Sequence, residues 1–446
     1  MKKGNNLSVG LVTIVFCALL HLSACGGGGN GGNDGGSASS SSIGGTTVTT
    51  TSCSAIYASG LTLVTGADNA APPNLAKPTK GQTFKDPVYG TCVVRLTDHA
   101  NEPPVGFARN DYSRRQAFNA DNTKILIYAL DGNWHLYDAA TYAWIKQLSG
   151  PAGDAEPQWH PTNPDILYYI PTNGGLALNE LNVAANQTRV VGNFANRLPW
   201  ATAAHVWTKS EGSPSKDARY WGFMVDDVNW TSLGAFTWDM QTDTILGTMN
   251  FNGNRPDNVS MSPTGNYIIV SWLDGTWSYT RDFSSRTLVN AVVEHADIAL
   301  DMNGDDAYVA VDYQTGWVIS VNLRTGVRTN IFEVYPNGTA TAFHFSGKAY
   351  NRPGWVLMSA YADYGAAGRQ WLHRKVYAVE LKANPRIYHL AHHHVDPYSG
   401  QYWDEPHASV NRDFTKIMFT SNWNAGNIDV DAYMIELPAG AIPASN

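Results

Sequence analysis

A short unit recurs along most of this 446-residue chain and limits the folds that the chain can adopt. Each copy has a polar or aromatic start, a short strand, a tight turn and a second, apolar strand. The clearest copy is the last one, in which residues 405–416 lead into Ile417-Met418-Phe419. The turns of the seven copies lie at residues 121–122, 163–165, 217–219, 264–266, 303–305, 352–354 and 413–415.

Repeats spaced by roughly 40 to 60 residues are typical of four-stranded propeller blades. The sequence therefore predicts an all-β fold, a seven-bladed β-propeller over residues 86–440, with six or eight blades as the alternative counts. The last copy ends after its third strand, and residues 91–97 are predicted to supply the fourth and close the ring. A β-sandwich with insertions is the competing fold, although one sandwich does not need seven copies of a unit.

The N-terminal residues are typical of an exported protein. In residues 1–25, Lys2 and Lys3 precede a short apolar run, and the end of this segment, Leu22-Ser23-Ala24-Cys25, resembles a bacterial lipobox. That resemblance implies lipidation at Cys25 and a membrane-anchored lipoprotein at the periplasmic face or the cell surface. An ordinary secretory signal is the alternative. Residues 26–52 are predicted to be a flexible tether and residues 53–85 an irregular arm.

The net charge limits the kinds of partner that the protein can bind, and the cysteine content indicates the compartment in which it folds. A formal charge of −8 argues against nucleic-acid binding, whereas local arginines could still hold an acidic polysaccharide or oligosaccharide. We expect a monomer that contacts the membrane only through its lipid. Cys53 and Cys92 remain after export and are predicted to form a disulfide in an oxidising compartment.

One mouth of the central channel is the predicted functional site. The first strand of each blade lines the channel, so counting back about six to nine residues from each turn predicts a polar ring at one mouth. That ring comprises Arg115, Gln116, Glu156, Gln158, Lys209, Glu211, Arg255, Asp257, Glu294, His295, His344, Glu405 and His407. The predicted substrate contacts are Gln116, Gln158, His205, Lys209, Asp257, Tyr402 and Trp403.

Several of these side chains come from consecutive copies and should meet. Glu405 and His407, two residues apart on a strand, are expected to point the same way, towards His344. Two imidazoles with a carboxylate suit Zn or Mn and leave open positions for substrate. A single histidine is more often structural, and we interpret His135, His160 and the loop-like cluster His389 and His392–His394 in that way.

The histidine positions, together with Pro406-His407-x-Ser409-x-Asn411-x-Asp413, resemble the oligogalacturonate lyase family. In that family a histidine-held Mn ion binds the uronate carboxylate and a separate histidine takes the proton. The resemblance implies His295 as the base and His344, Glu405 and His407 as ligands of a divalent metal (Mn, Zn or Ca). The family's last cluster has a Gln and two His, whereas here only His407 matches clearly. The propeller ulvan lyases are a second resemblance, at the level of the fold.

β-Elimination suits these residue types. Removing the C5 proton of a 4-linked uronic acid requires its carboxylate to be neutralised, by a metal or by Arg115 and Arg255, while a histidine with an ordinary pKa acts as base. The rival prediction is a non-catalytic propeller that binds glycans or proteins, since this fold serves both purposes.

Overall fold

The computed structural model describes residues 52–446 except 104–105, 154, 172–173, 209–211, 366–367, 397–401 and 426–428. The predicted signal with Cys25, nearly all of the tether, Lys209 and Glu211 lie outside the described residues. Within them, the helical segments are α1 (Cys53–Ile56) and two 3-10 turns, η1 (Pro336–Gly338) and η2 (Tyr402–Asp404). No helix of this part of the chain is long and apolar enough to cross a membrane.

The remaining elements of the described residues are strands. The first ten are Val64–Thr65 (β1), Thr83–Lys85 (β2), Cys92–Arg95 (β3), Ala108–Arg109 (β4), Lys124–Ala129 (β5), Asn133–Asp138 (β6), Trp144–Ala152 (β7), Gln158–Trp159 (β8), Ile166–Tyr169 (β9) and Ala177–Asn182 (β10). The next ten are Gln187–Asn193 (β11), Ala203–Trp207 (β12), Tyr220–Asp227 (β13), Ser232–Asp239 (β14), Thr244–Asn250 (β15), Asn258–Met261 (β16), Tyr267–Trp272 (β17), Gly275–Thr280 (β18), Arg286–Asn290 (β19) and Ala296–Leu300 (β20). The last ten are Asp306–Asp312 (β21), Trp317–Asn322 (β22), Arg328–Glu333 (β23), Thr339–Ser346 (β24), Trp355–Gly365 (β25), Lys375–Glu380 (β26), Ile387–His392 (β27), Ser409–Val410 (β28), Lys416–Ser421 (β29) and Asp431–Glu436 (β30).

Most strands pair with their sequence neighbours, as the repeat predicts. Four sheets consist of four consecutive antiparallel strands each: β8–β11, β12–β15, β16–β19 and β20–β23. A further sheet, β24–β27, is extended at its outer edge by β1. Successive four-stranded antiparallel sheets are the units of a β-propeller.

The two ends of the described chain meet in one sheet. β28, β29 and β30 pair in order, and β3 pairs with β30 as the next strand, with β2 beyond it. A single parallel bridge between Asp431 and Ala108 joins β30 to β4, which begins the sheet β4–β7. The strand predicted at residues 91–97 therefore lies against the last copy.

Asparagine side chains explain why the turns recur. In the first copy, Asn119 Oδ1 accepts hydrogen bonds from the backbone N–H groups of Thr123 and Lys124. In the last copy, Asn411 Oδ1 does the same for Thr415 and Lys416. An Asn that bonds its own downstream backbone favours a tight turn over a continuing strand.

Most of the arm at residues 53–85 lies outside helices and strands. It contains α1, β1 and β2, and a disulfide between Cys53 and Cys92 joins it to β3. Tyr57 Oη donates to the Glu436 carbonyl at 2.5 Å, and Trp423 Nε1 donates to the Leu75 carbonyl at 3.0 Å. Composition alone does not predict these attachments because they connect distant parts of the chain.

Candidate active site

Three histidines from three consecutive sheets meet at one end of the inner strands. His295 directly precedes β20, His344 lies within β24, and His407 lies just ahead of β28. The ring centroids of His295 and His344 are 4.7 Å apart, and those of His344 and His407 are 4.2 Å apart. His344 and His407 are fully buried, whereas His295 keeps partial exposure. We call these rings the imidazole centre.

A bulge aims His344 into this centre. The pairing of β24 with β25 shifts register between Ala342 and Phe343, directly before His344, and Tyr361 is the extra residue on the opposite strand. A bulge bends the strand and redirects the side chains beside it. The Tyr361 ring consequently lies 4.5 Å from His344 and 5.3 Å from His295, centroid to centroid.

The prediction that Glu405 and His407 share one face of a strand is wrong. β28 contains only Ser409–Val410, and His407 has φ 38°, in the left-handed region that L residues rarely adopt. The irregular backbone nevertheless turns both side chains inward. Glu405 Oε2 lies 2.7 Å from His344 Nε2 and 3.4 Å from His407 Nε2.

Burial controls the protonation of Glu405. It raises the pKa of this carboxyl to about 8, although the charge of Arg109 acts in the opposite direction. Near neutral pH the carboxyl therefore retains a proton in much of the population. The protonated group can donate to His344 Nε2 across the 2.7 Å separation.

Arg109, at the end of β4, contacts the centre and was missed from the sequence. Its side chain is buried, and its Nη1 lies 3.0 Å from His407 Nδ1. Because a guanidinium can only donate, Nδ1 of His407 accepts and the proton of this ring is on Nε2. Counting back from the turn failed here because residues 110–117 intervene without strand structure. The polar segment that starts at Arg109 was the available signal.

Tyr112 also belongs to the centre and was missed. Its ring centroid lies 4.9 Å from that of His407, 5.4 Å from His344 and 6.3 Å from His295. With Tyr361 it places two phenols beside the imidazoles. Of these two, Tyr361 is the more exposed.

All three imidazoles are uncharged at neutral pH. Burial lowers the pKa of His295, His344 and His407 well below its usual range, and neighbouring imidazoles and the positive charges of Arg109 and Arg114 add to the effect. The expectation of a base with an ordinary pKa is therefore wrong. His295 also hydrogen-bonds the backbone of Phe343, which orients its ring.

The two arginines predicted from the sequence have other partners. Arg115 is buried, bonds Asp111 through Nε and lies over the Trp134 ring, 5.8 Å from its centroid. Arg255 Nη2 pairs with Asp226 Oδ2 at 3.3 Å. The arginines whose charges act on the imidazoles are Arg109 and Arg114, and the roles predicted for Arg115 and Arg255 at the substrate carboxylate stay predictions.

Gln116 and Gln158 do not lie at the imidazole centre. They line a cavity of about 310 Å³ whose other walls include Arg412, Tyr350 and several of the tight turns. His295 and His407 lie ahead of the inner strands β20 and β28, whereas the cavity is lined by turn residues that follow inner strands, such as Ala218 after β12 and Asp413 after β28. The cavity therefore opens at the other ends of the inner strands.

The remaining predicted substrate contacts are divided between two places. Tyr402 and Trp403, each about 40% exposed, lie beside the centre, with the Tyr402 ring 4.9 Å from His407 and the Trp403 ring 4.8 Å from the Arg109 guanidinium carbon. Asp257 is exposed, and its charge acts on His295. His205 instead stacks on Trp230 at 4.0 Å in the sheet β12–β15.

Two other histidine groups are structural. His99 lies near Asp429 and Asp431, but Lys77 and Arg95 already pair with Asp431, which leaves little negative charge for a cation. His389 and His392 lie in β27, so the description of that cluster as loop-like is corrected for these two residues.

Comparisons with known proteins agree with this architecture. No protein-family model matches the sequence, and no curated protein matches it. Among solved structures, an oligogalacturonate lyase in complex with manganese matches 85% of this chain and 99% of its own, with TM-score 0.57 and 17% identity. An oligogalacturonate lyase from Vibrio parahaemolyticus matches 80% of this chain and 97% of its own, with TM-score 0.57 and 13% identity. These likenesses confirm the resemblance at the level of the β-propeller fold.

Proposed function

We propose that this protein is an exported, lipid-anchored lyase that cleaves a uronic-acid-containing polysaccharide or oligosaccharide by β-elimination. One observation carries the proposal: His295, His344, His407 and Glu405 converge at one end of the inner strands, next to exposed Tyr402 and Trp403. The oligogalacturonate lyase fold supports the same class of substrate.

His295 is the proposed base. It is partly exposed, uncharged and oriented by the backbone of Phe343, so the ring nitrogen that does not bond Phe343 is the one proposed to take the C5 proton of a uronic acid. The C5–H bond breaks, a double bond forms between C4 and C5, and the C4–O bond to the leaving sugar breaks. Tyr361, beside His295, is placed to protonate the departing oxygen. A bound carboxylate adds negative charge that raises the pKa of His295 towards the range of an effective base.

Arg109 and Arg114 are the proposed partners of the substrate carboxylate. Both are buried near the imidazoles, and their positive charge stabilises the electron density that the carboxylate gains as the C5 proton leaves. A guanidinium presents several donors in a planar fork that matches a carboxylate.

The side chains also fit a divalent metal in number and type. One donor atom from each of His344, Glu405 and His407 lies within 4.8 Å of the others, and two imidazoles with a carboxylate suit Zn or Mn. The Arg109 bond to Nδ1 of His407 opposes this use, because a ring that binds metal through Nε2 must carry its proton on Nδ1. When bound, the metal would help to neutralise the substrate carboxylate.

The architecture that we propose for the domain is a seven-bladed propeller closed by β3. The pairing of β3 with β30 and the bridge from β30 to β4 support closure, since together they join the last sheet to the first. Lipidation at Cys25 and a position at the periplasmic face or the cell surface are part of the same proposal and rest on the sequence of residues 1–25.

Purified protein, with Mn or Zn supplied, should release unsaturated sugars from pectic, ulvan or alginate-type polymers. Ultraviolet absorbance of the new double bond measures the reaction. His295→Ala should slow the appearance of the signal by about 10² to 10⁴, and wild-type protein without product on any of these polymers would refute the proposal. Retention of a polymer without cleavage would instead support a glycan-binding propeller.

A further inference from the structure

A second cavity, of about 450 Å³, lies between the sheets β12–β15 and β16–β19. We call it the outer cleft. The residues that matter for its chemistry are Asn252, Asn254, Arg255, Trp272, Trp277 and Arg286. Its volume falls within the roughly 300 to 1,000 Å³ of pockets that hold small ligands.

Aromatic rings form one wall of the outer cleft. Trp277 and Tyr279 are two residues apart on β18, so both side chains lie on the same face of the strand. Phe251 packs edge-on against Trp272 at 4.8 Å and holds that ring in place. Trp272 and Trp277 remain partly exposed. Rigid, partly exposed indoles of this kind suit the apolar faces of sugar rings.

A guanidinium lies directly over this wall. The guanidinium carbon of Arg286 is 4.4 Å from the Trp277 ring centroid. The residue is exposed, so its donors are accessible to a carboxylate. Asp274 is the one carboxylate lining the cleft, and Arg255 pairs with Asp226, which is not part of the lining. Arg286 is therefore the cation of the cleft that forms no ion pair with a carboxylate among the described residues.

The amides of Asn252 and Asn254 are the remaining polar groups of the outer cleft that could bind a sugar. Both are exposed and line the cleft, where they can donate to and accept from hydroxyl groups. An aromatic wall, a guanidinium and two amides together match a sugar ring that bears a carboxylate.

The outer cleft runs along β18, with one end on the same face of the domain as the imidazole centre and with Arg286, opposite Tyr279, towards the other end. It is bordered by the segment that leads into β16 and by the β17–β18 hairpin. In an antiparallel sheet this hairpin lies at the same end as the start of the first strand, where His295 also lies. Asp257, two residues after Arg255, acts electrostatically on His295, so this segment runs from the cleft towards the centre. One glycan chain can therefore contact both.

We propose that the outer cleft binds a uronic acid residue of a polymeric substrate, several sugars away from the bond that is cleaved. The identity of the glycan rests on the proposed function. Arg255 then has a role at the cleft, where its pair with Asp226 and its bond to the Trp230 carbonyl hold the wall in position.

The test uses Arg286→Gln, with Arg189→Gln as the matched control. Both arginines are exposed residues on outer strands, but Arg189 pairs with Glu180 in another sheet, away from the cleft. In a His295→Ala background, which slows cleavage, electrophoresis through gels containing polygalacturonate, ulvan or alginate measures binding. We expect Arg286→Gln to weaken retention by at least one of these polymers roughly threefold to tenfold and the control to leave it unchanged.

A kinetic comparison tests the same inference in the active protein. Arg286→Gln should raise the KM for the polymer and leave cleavage of a trisaccharide unchanged, because a short substrate does not reach the outer cleft. Equal retention of both variants, or no retention of the wild-type protein by any polymer, would overturn the inference. If no polymer is cleaved but retention still depends on Arg286, the proposed function fails and the cleft assignment stands.

Discussion

At the scale of single residues, burial decides which charges exist at the imidazole centre. The same burial lowers the pKa of three histidines and raises that of Glu405 to about 8. With its histidines uncharged and Glu405 largely protonated, the centre can accept a proton and a negatively charged substrate without first changing the protonation of these groups. Arg109 provides a fixed positive charge against His407.

His295→Ala should reduce turnover of uronate polymers by about 10² to 10⁴, the usual contribution of a general base. Initial rates of double-bond formation measure the effect. His160→Ala is the matched control, because His160 accepts bonds from the Thr162 and Asn163 backbone in a turn away from the centre. Comparable rates for the two variants would argue against His295 as the base.

Arg109→Met should tighten divalent metal binding by His344, Glu405 and His407 by about tenfold, or 1.4 kcal/mol. The substitution removes a positive charge and frees Nδ1 of His407 to carry the proton that a metal-bound ring requires. Calorimetric titration with Mn and Zn measures the affinity. Arg115→Met is the control, since Arg115 bonds Asp111 instead. Unchanged affinity in the Arg109 variant would show that His407 does not bind metal through Nε2.

At the scale of secondary-structure elements, one carboxylate holds the sheet in which the two ends of the described chain meet. Asp431, in β30, pairs with Arg95 of β3 at 2.8 Å and with Lys77 of the arm at 2.9 Å, and it accepts a bond from Thr97 Oγ1 at 2.8 Å. Burial alone would raise the pKa of Asp431. The hydrogen bond from His99 and the charges of Lys77 and Arg95 reverse this and hold it well below its usual range.

Asp431→Asn should lower the free energy of unfolding by about 3 kcal/mol at neutral pH, because it leaves buried cations without their partner. A depressed folded-state pKa contributes stability above the usual Asp pKa of about 4, and that stability is lost as the pH falls below it. Urea unfolding at neutral and acidic pH should therefore show a steeper loss on acidification for wild type than for the variant. Parallel pH profiles would contradict the assignment.

At the scale of the whole molecule, successive sheets are formed by successive parts of the chain. The last sheet is completed by β3, which precedes the first sheet in the sequence. β3 covers the edge of β30 that the last copy cannot cover itself. An uncovered edge offers unpaired N–H and C=O groups to other chains. The order of the arm serves the same purpose, since α1 and the disulfide hold β3 in place.

Deletion of residues 1–96 should therefore produce an aggregating protein, whereas deletion of residues 1–51 should leave a soluble one. Light scattering and size-exclusion chromatography distinguish the two. A soluble, cooperatively unfolding product of the longer deletion would show that β3 is not needed to close the domain.

Much of the fold was predictable because its signals are local. A turn such as residues 411–416 is specified by an Asn that bonds backbone only a few positions away. The attachment of the arm to the rest of the domain could not be predicted because it depends on bonds such as that from Tyr57 to Glu436, 379 residues apart. Composition over a short window does not contain that information.

The residues of the candidate active site also divide into those that local sequence patterns predict and those that only the tertiary structure identifies. The sequence by itself determined the repeating unit and, through its spacing, that His295, His344 and His407 lie in or just ahead of the inner strands of consecutive sheets. Only the tertiary structure decided that Arg109 rather than Arg115 bonds His407, across 298 residues of sequence, and that Gln116 and Gln158 lie elsewhere. The physical reason is that bulges, left-handed turns and side-chain directions arise from packing between sheets, and a one-dimensional pattern does not record that packing.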